Sequence, residues 1–567
     1  MQAEAGQRLF DCAAQLGVYV PTSCAGQGKC RECWLEVDTG AELLSPRADE
    51  ERSIVDALRL ACRAKIVGTD GELNCRSLHR GQMRIVTEAA QTTPAGDHYA
   101  IEASVRRVDG QLQQWRRSDS ITADATAEPE QASGDHIWFD LEPGLHDGDR
   151  PLLGLAVDLG TTTIAIRLHD LSDGRLLATR ALENPQRFGG SDVMARIRFD
   201  GDNKGKLLRR TLLGYLSHAI EELPCESENI FEIVVCGNTT MRDLLFGLSV
   251  QPIGQFPYWS QTESEWREGR SAGTTLSRQT RSMRLPSNSA ATIYSPPLIS
   301  GHVGSDAATA MLATGLLDEA GTVVMMDIGT NSELIVAHEG KLWAASCPAG
   351  PAFEGGAIQC GMPALDGAIE SFRFDDAGGR VMSVIGGGSA TGICGSALVD
   401  LMSELLRTDR MNERGRLTLE DESEGIEEDG LSFIVDEARG LHIAEADIGE
   451  LAQAKGANAA GLSIVMEMIG LRAEDIDRFY LAGGFARHID LDAARRIGLI
   501  PDLSDDRLER IGNAALQGAS IALTSLPARM ALELRAQQVE HISLETHPDF
   551  FEHFVQACQF TPMSFGS

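Results

Sequence analysis

The chain has 567 residues, a formal net charge of −33, 43% hydrophobic and 23% charged residues. One hydrophobic core serves roughly 250–300 residues, so about three or four folding units are expected. The composition is that of ordinary globular protein. The acidic surface repels phosphate backbones, which argues against a nucleic-acid partner. No apolar run of about 18 residues occurs, so no segment is expected to span a membrane, and no basic stretch followed by an apolar one marks a secretory leader. Of the 12 cysteines, three fall within ten positions and most others are scattered singly. That is a poor disulfide framework; it fits a reducing cytoplasm and one metal site better.

Residues 1–88 are dense in Cys and Gly. "FDCAAQLG" (Phe10–Gly17) reads as a short helix, and "CWLEVDTG" (Cys33–Gly40) as a strand and turn. Between them the spacing is Cys24-x5-Cys30-x2-Cys33, and "RLACRAKI" places Cys62 further on. An iron–sulfur cluster takes four thiolates, and one arrangement uses a long loop plus a distant fourth cysteine. Ala25, Gly26 and Gly28 let the loop wrap closely, so that backbone N–H groups reach the bridging sulfides. Zinc or unrelated thiols are the alternatives; zinc would want a second close Cys/His pair, and none follows. Cys75 is the rival for fourth ligand, and Cys12 is expected to pack its helix.

This stretch resembles the [2Fe–2S] ferredoxin domain, a β-grasp fold. The x5 spacing departs from the plant x4 pattern and matches the adrenodoxin-like branch, where "LAC" is the usual setting of the fourth ligand. The resemblance implies Cys24, Cys30, Cys33 and Cys62 as the ligands. One departure is visible: only about eight residues precede Phe10, where ferredoxin domains usually place a β-hairpin.

Residues 89–150 are polar and turn-rich. "RRSDSITADATAEPEQASGD" (Arg116–Asp135) has almost no large apolar residue and reads as a linker or a reduced small domain.

From residue 151 to 567 strand-like apolar runs alternate with helical stretches, which argues for α/β layers. An internal repeat divides this stretch into halves of about 151–320 and 321–567. "GLAVDLGTTTIAIRLHD" (Gly154–Asp170) resembles "VVMMDIGTNSELIVAHE" (Val323–Glu339). Each is an apolar run, Asp-x-Gly-Thr, two hydroxyl or amide residues, and a second run: a hairpin with a phosphate-sized tip. Gly160 and Gly329 let phosphate approach the backbone. Thr161, Thr162, Thr163, Thr330, Asn331 and Ser332 offer hydroxyl, amide or backbone donors. Asp158 and Asp327, at strand ends, can hold Mg²⁺ through water. One D-x-G-T is a weak signal because turns often carry such residues; two in tandem halves are a strong one. "FYLAGGFARHIDLDAARRIGLIP" (Phe479–Pro501) runs a strand into Gly483, Gly484 and Phe485 and then a helix, and "GICGSALVDLMSELL" (Gly392–Leu406) has the same form. No Walker A motif occurs.

These elements, in this order, resemble the acetate-kinase, sugar-kinase, Hsp70 and actin superfamily of ATP-binding folds. Residues 158–163 match its first phosphate motif and 327–332 the second. Gly392, Gly395 and Ser396 fall in the second connecting motif, and Gly483 to Phe485 in the adenosine motif. The expected fold class is therefore α/β and multidomain: a β-grasp ferredoxin domain followed by a two-lobed ATPase of duplicated α/β halves.

A ferredoxin domain fused to this ATPase resembles the reductive activators of corrinoid proteins. "ENPQRFGGSDVMARI" (Glu183–Ile197), "VVCGNTTMRDLLFG" (Val234–Gly247), "PPLISGHVGSDAATAML" (Pro296–Leu312) and "CPAGPAFEGGAIQCGM" (Cys347–Met362) fit that family. The resemblance implies a [2Fe–2S] cluster, ATP and Mg²⁺, a corrinoid protein as partner, a low-potential electron donor, a cytoplasmic setting and a homodimer. Its activity would be ATP-dependent return of inactive Co(II) corrinoid to Co(I). A small-molecule kinase with a redox-sensing ferredoxin domain and an electron carrier with a regulatory ATP site are the alternatives. Asp306 and Glu354 are candidates for the hydrolytic base, or caps of a helix or turn. In "NPQRFGGSDVMARI" a partner-facing surface and a plain turn, with Asp192 as an N-cap, are equally open.

Overall fold

The computed structural model describes the chain except residues 1, 19, 21–32, 49–50, 52–56, 69, 78–98, 118–135, 142–149, 191, 203–205, 420–423, 428–430, 485 and 564–567. The chain divides into two compact units. One is Met1–Gln82 with Ile101–Ser295; the other is Met83–Ala100 with Pro296–Ser567.

In the first unit, the helix Leu9–Gln15 buries Leu9, Cys12 and Ala13, an i, i+3, i+4 stripe. Cys12 thus packs its helix. Beside it lies an antiparallel sheet in the order Leu58–Leu60, Trp34–Thr39, Asn74–Ser77. Ahead of the helix, Arg8 bridges to Lys65.

The polar stretch after residue 100 holds a second antiparallel sheet: Val105–Val108, Gln111–Arg117 and His136–Asp140. Asp109 and Gly110 both have positive φ, +50° and +80°, the Asp-Gly turn that suits a tight hairpin. Polar groups fasten this sheet to the larger one. Gln114 Nε2 donates to Thr292 Oγ1 at 3.2 Å, Arg116 Nη2 to Ala290 O at 2.8 Å, and the Ser104 hydroxyl to Glu232.

The larger sheet runs Leu276–Gln279, Thr292–Ser295, Ile230–Cys236, Leu153–Leu159, Thr163–Asp170, Leu176–Glu183. The last three strands are an antiparallel meander, and Ile230–Cys236 lies parallel to Leu153–Leu159. Ile230–Cys236 is buried along its whole length, as a central parallel strand covered on both faces must be.

The second unit repeats the plan. Its sheet runs Leu508–Gly512, Arg478–Ala482, Val323–Asp327, Ser332–His338, Lys341–Cys347, Glu540–His541. Again a meander begins on the Asp-x-Gly-Thr strand, and a later strand joins it in parallel. The repeat seen in the sequence is therefore a repeat of topology. The helix Ser305–Thr314 belongs to this unit, although it precedes the sequence boundary near residue 320. Gly518 explains why: a Cβ there would lie 1.8 Å from the carbonyl oxygen of Thr309, so only glycine allows the two helices to approach so closely.

Candidate functional site: a cysteine pair and two phosphate turns

Cys33 immediately precedes the strand Trp34–Thr39, and Cys62 follows Leu58–Leu60 by two residues. The register pairs Trp34 with Leu60, and Ala61 N–H donates to Cys33 O at 2.7 Å. The pairing thus brings both thiols to one end of the sheet. Their Sγ atoms stand 3.1 Å apart, and the residues are 0% and 6% exposed. A disulfide would hold them at about 2.05 Å. Two thiolates sharing one metal, with bonds near 2.3 Å, stand somewhat further apart than this pair. The pair is therefore not a disulfide, and its burial and thiol chemistry suit metal ligation once the two sulfurs spread slightly. Cys24 and Cys30 lie outside the described residues. Cys75 sits on the edge strand Asn74–Ser77, exposed and paired with Val37. A buried ion pair braces the Cys62 strand: Glu51 accepts from Arg59 Nε at 3.1 Å, Leu60 N–H at 2.6 Å and Ala48 N–H at 2.7 Å.

In the first turn, Asp158 stands next to last on its strand, opposite Ala165 and beside Cys236. Gly160 turns so tightly that a Cβ would lie 2.6 Å from Thr163 O. Three successive carbonyls of the turn are tied from behind. Asn184 Nδ2 donates to Gly160 O at 2.8 Å, Arg196 Nη2 to Thr161 O at 2.7 Å, and Asn184 N–H to Thr162 O at 2.6 Å. The buried Thr161 hydroxyl accepts from Asn238 Nδ2 at 2.8 Å. Thr163 opens the next strand. Arg196 and Asn238 were not singled out from the sequence, and Asn184 only as part of a turn signal with Pro185. Asn184 and Asn238 carry a local signal, since each caps the turn or helix that follows it. Asp192 accepts Ala195 N–H at 2.8 Å in the first turn of its helix.

In the second turn, Asp327 ends its strand opposite Glu333. Gly329, Thr330 and Asn331 form the tip, and Ser332, buried, opens the next strand. Glu354 holds Thr330 by its N–H at 3.1 Å and by its hydroxyl. Gly483 lies against this tip. Its φ is +115°, and a Cβ would fall 2.3 Å from Ile328 O and 3.2 Å from an Asp327 carboxylate oxygen. Asp327 and the glycine pair, read from separate stretches, thus meet. Gly484 is exposed, and Phe485 lies outside the described residues.

Gly392 packs against Met362 and Cys360, with a Cβ position 3.0 Å from Cys360 O. Gly395 is the first residue of the helix Gly395–Arg407. The Ser396 hydroxyl donates to Glu370 O at 2.7 Å, an anchor between helix and strand. Asp306 is the second residue of the helix Ser305–Thr314 and accepts Ala307 N–H at 2.9 Å.

Three family descriptions match consecutive stretches of the chain. Residues 1–67 match the 2Fe-2S iron-sulfur cluster binding domain, 153–319 the RACo middle region, and 321–566 the C-terminal domain of RACo, the ASKHA domain. The chain belongs to the reductive activators of corrinoid proteins. The match to the family's middle region takes in the six-stranded sheet of the first unit and runs on through the helix Ser305–Thr314 of the second. The ferredoxin match supports a [2Fe–2S] cluster on the cysteine stretch, and the ASKHA match supports nucleotide binding. The chain is 26% identical over 600 residues to the corrinoid activation enzyme RamQ of Eubacterium limosum, covering 97% of this chain and 96% of that one. It is 24% identical over 389 residues to the [Co(II) methylated amine-specific corrinoid protein] reductase of Methanosarcina barkeri, covering 64% and 68%. The solved structure of a reductive activator for corrinoid, iron-sulfur protein matches with a TM-score of 0.69 at 26% identity, over 99% of this chain and 97% of that one. No described helix is long and apolar enough to cross a membrane.

Proposed function

We propose that this protein is an ATP-dependent reductive activator of a corrinoid protein. One electron enters from a low-potential donor and one leaves to the partner's Co(II), which becomes Co(I). The observation that carries this reading is the buried Cys33–Cys62 pair on one chain with two Asp-x-Gly-Thr turns.

Cys24, Cys30, Cys33 and Cys62 hold the cluster. When bound, a cluster of this class supplies single electrons, near about −400 mV for the plant type. The burial of Cys33 and Cys62 keeps water from their thiolates. Asp158 and Asp327 hold Mg²⁺ through water. The backbone donors at Gly160 to Thr163 and Gly329 to Ser332 take the phosphates, and Gly483 and Gly484 leave room for the adenosine. Gly392, Gly395 and Ser396 shape the helix start beside the second turn's half.

Corrinoid methyl transfer needs Co(I), and the Co(II)/Co(I) couple lies below an ordinary ferredoxin. Reduction is then uphill. Nucleotide can overcome this only by binding one state of the system better than another. The protein works in the cytoplasm, and a homodimer is its expected assembly.

The test is anaerobic. Reduced protein is mixed with a Co(II) corrinoid protein, and Co(I) absorption is followed with and without Mg-ATP. ATP-dependent Co(I) formation that Cys33→Ala abolishes is the expected result. Equal Co(I) without ATP would reduce the nucleotide site to a regulatory one, and no Co(I) with any corrinoid partner would overturn the proposal.

A further inference from the structure

One short segment touches both the first phosphate turn and the cluster-bearing sheet. At its start, Asn184 donates through its side chain to Gly160 O at 2.8 Å and through its backbone to Thr162 O at 2.6 Å. Its Oδ1 accepts Gln186 N–H at 2.9 Å, which begins the tight helical turn Pro185–Gly189. Three residues after Asn184, Arg187 Nη2 reaches both carboxylate oxygens of Glu36 at 2.8 Å, and Nη1 reaches Glu183 at 2.6 Å. Phe188 stacks on Trp34, with centroids 6.2 Å apart at 28°, and meets Phe199 edge-on at 5.5 Å. Trp34 and Glu36 lie one and three residues after Cys33.

The segment has little freedom to absorb a displacement. Pro185, Gln186, Phe188 and Gly189 are buried. A Cβ on Gly189 would fall 2.6 Å from a Leu208 methyl, and one on Gly190 2.3 Å from the Ala195 Cβ. Close-packed interiors pass strain on rather than dissipate it. A phosphate bound by the N–H groups of Thr161, Thr162 and Thr163 would pull on the peptide units that carry the Gly160, Thr161 and Thr162 carbonyls, and Asn184 is hydrogen-bonded to the first and last of these. Arg187 and Phe188 follow within one helical turn, against the strand that begins at the cluster ligand.

We infer that Asn184 to Phe188 form a positioning element through which nucleotide at the first phosphate turn and the redox state of the cluster bias one another. Arg187 is the principal residue, since its Nη2 makes the charge-assisted link from this segment to Glu36 on the cluster-bearing sheet. The inference rests on the proposed function and deepens it: it says how the two sites communicate inside one unit. Contiguity alone does not establish coupling; coupling is a free energy, and it is reciprocal. If reduction changes nucleotide affinity, nucleotide must change the cluster potential by the same factor.

The experiment uses the full-length protein with its cluster, under anaerobic conditions. The affinity for a non-hydrolysable Mg-ATP analogue is measured with the cluster oxidised and reduced, and the cluster's midpoint potential with and without the analogue. In the wild type the two affinities should differ about fivefold or more. The potential should move correspondingly, at about 59 mV per tenfold for one electron. Arg187→Ala should bring the affinity ratio to near one while keeping the cluster's visible spectrum and the oxidised-state affinity. Glu36→Gln should do the same, Arg187→Lys should keep part of the ratio, and the Arg187→Ala, Glu36→Gln double variant should be no worse than either alone. A wild-type ratio of one, or a full ratio in both single variants, overturns the inference. Failure of the underlying reading looks different: no cluster spectrum, or no analogue binding in either redox state, and the inference falls with it.

Discussion

Glu354 closes its carboxylate on Thr330, taking the backbone N–H on Oε1 at 3.1 Å and the hydroxyl on Oε2. These are donors that a phosphate would use in the second turn. Carboxylate and phosphate want the same groups, so an arriving nucleotide must displace Glu354. Removing the carboxylate removes a competitor. Glu354→Ala should tighten Mg-nucleotide binding about fivefold, the equivalent of one net hydrogen bond of about 1 kcal/mol. Calorimetric titration measures this. Weaker binding would instead make Glu354 a support for the turn.

Gly483 is held where no other residue fits. Its φ of +115° and a Cβ position 2.3 Å from Ile328 O mean that Gly483→Ala must either strain the backbone or push Ile328 away. The cost should be at least about 2 kcal/mol. Because the Asp327 carboxylate lies 3.2 Å from the same position, nucleotide binding should weaken as well. A melting curve and a nucleotide titration on one sample test both effects, and an alanine variant with wild-type values in each would refute this packing argument.

The two Asp-x-Gly-Thr turns were legible because each lies within one short stretch whose residue types carry the chemistry; of the four cysteines, Cys33 and Cys62 come together, while Cys24 and Cys30 lie outside the described residues. The topology of the duplicated halves was legible for the same reason: two matching hairpins announce two matching sheets. The residues that lock the turns were not. Arg196 and Asn238 reach Thr161 from 35 and 77 positions away, and nothing local in either stretch names that target. The sheet after residue 100 was hidden by its composition. Gln111–Arg117 is polar because Gln114 and Arg116 are spent on hydrogen bonds to Thr292 and Ala290, so the stretch 89–150 left a linker and a reduced small domain both open. The Asp109-Gly110 turn was the signal available. The segment Asn184–Phe188 looked equally like a turn and like a surface; it is a turn with a contact at each end.

The Glu51–Arg59 pair predicts a fragile support for Cys62. Both side chains are almost wholly buried, 0% and 6% exposed, at 3.1 Å. Breaking such a pair from one side leaves a buried charge uncompensated, at about 3–5 kcal/mol. Glu51→Ala also frees two backbone N–H groups, at Ala48 and Leu60. That variant should lose cluster absorption on mild heating well before the wild type does, while nucleotide binding persists. Unchanged thermal loss of the visible band would show that the pair does not brace the cysteine.

Asp400 predicts an inverted pH dependence for one group. Burial, with Asp490 and Glu404 nearby, raises its carboxyl to about 7 from an ordinary 3.8, although Phe372 N–H donates to it at 3.2 Å and works the other way. Its other oxygen is buried with no hydrogen-bond partner in the structure. The folded protein therefore keeps this proton where the unfolded chain has lost it. Stability falls with pH wherever the folded state binds more protons. The contribution of Asp400 is fully present below about 3.8 and is lost as pH rises to about 7. Asn cannot ionise and closely copies the protonated acid. Asp400→Asn should thus melt higher than the wild type at pH 8, with the gap narrowing steadily as pH falls through 7 toward 5. Comparing the two proteins at each pH cancels the titration of all other groups. A gap that stayed constant or widened toward acid would mean that Asp400 is ionised in the folded protein at neutral pH, with the Phe372 N–H and its surroundings outweighing burial.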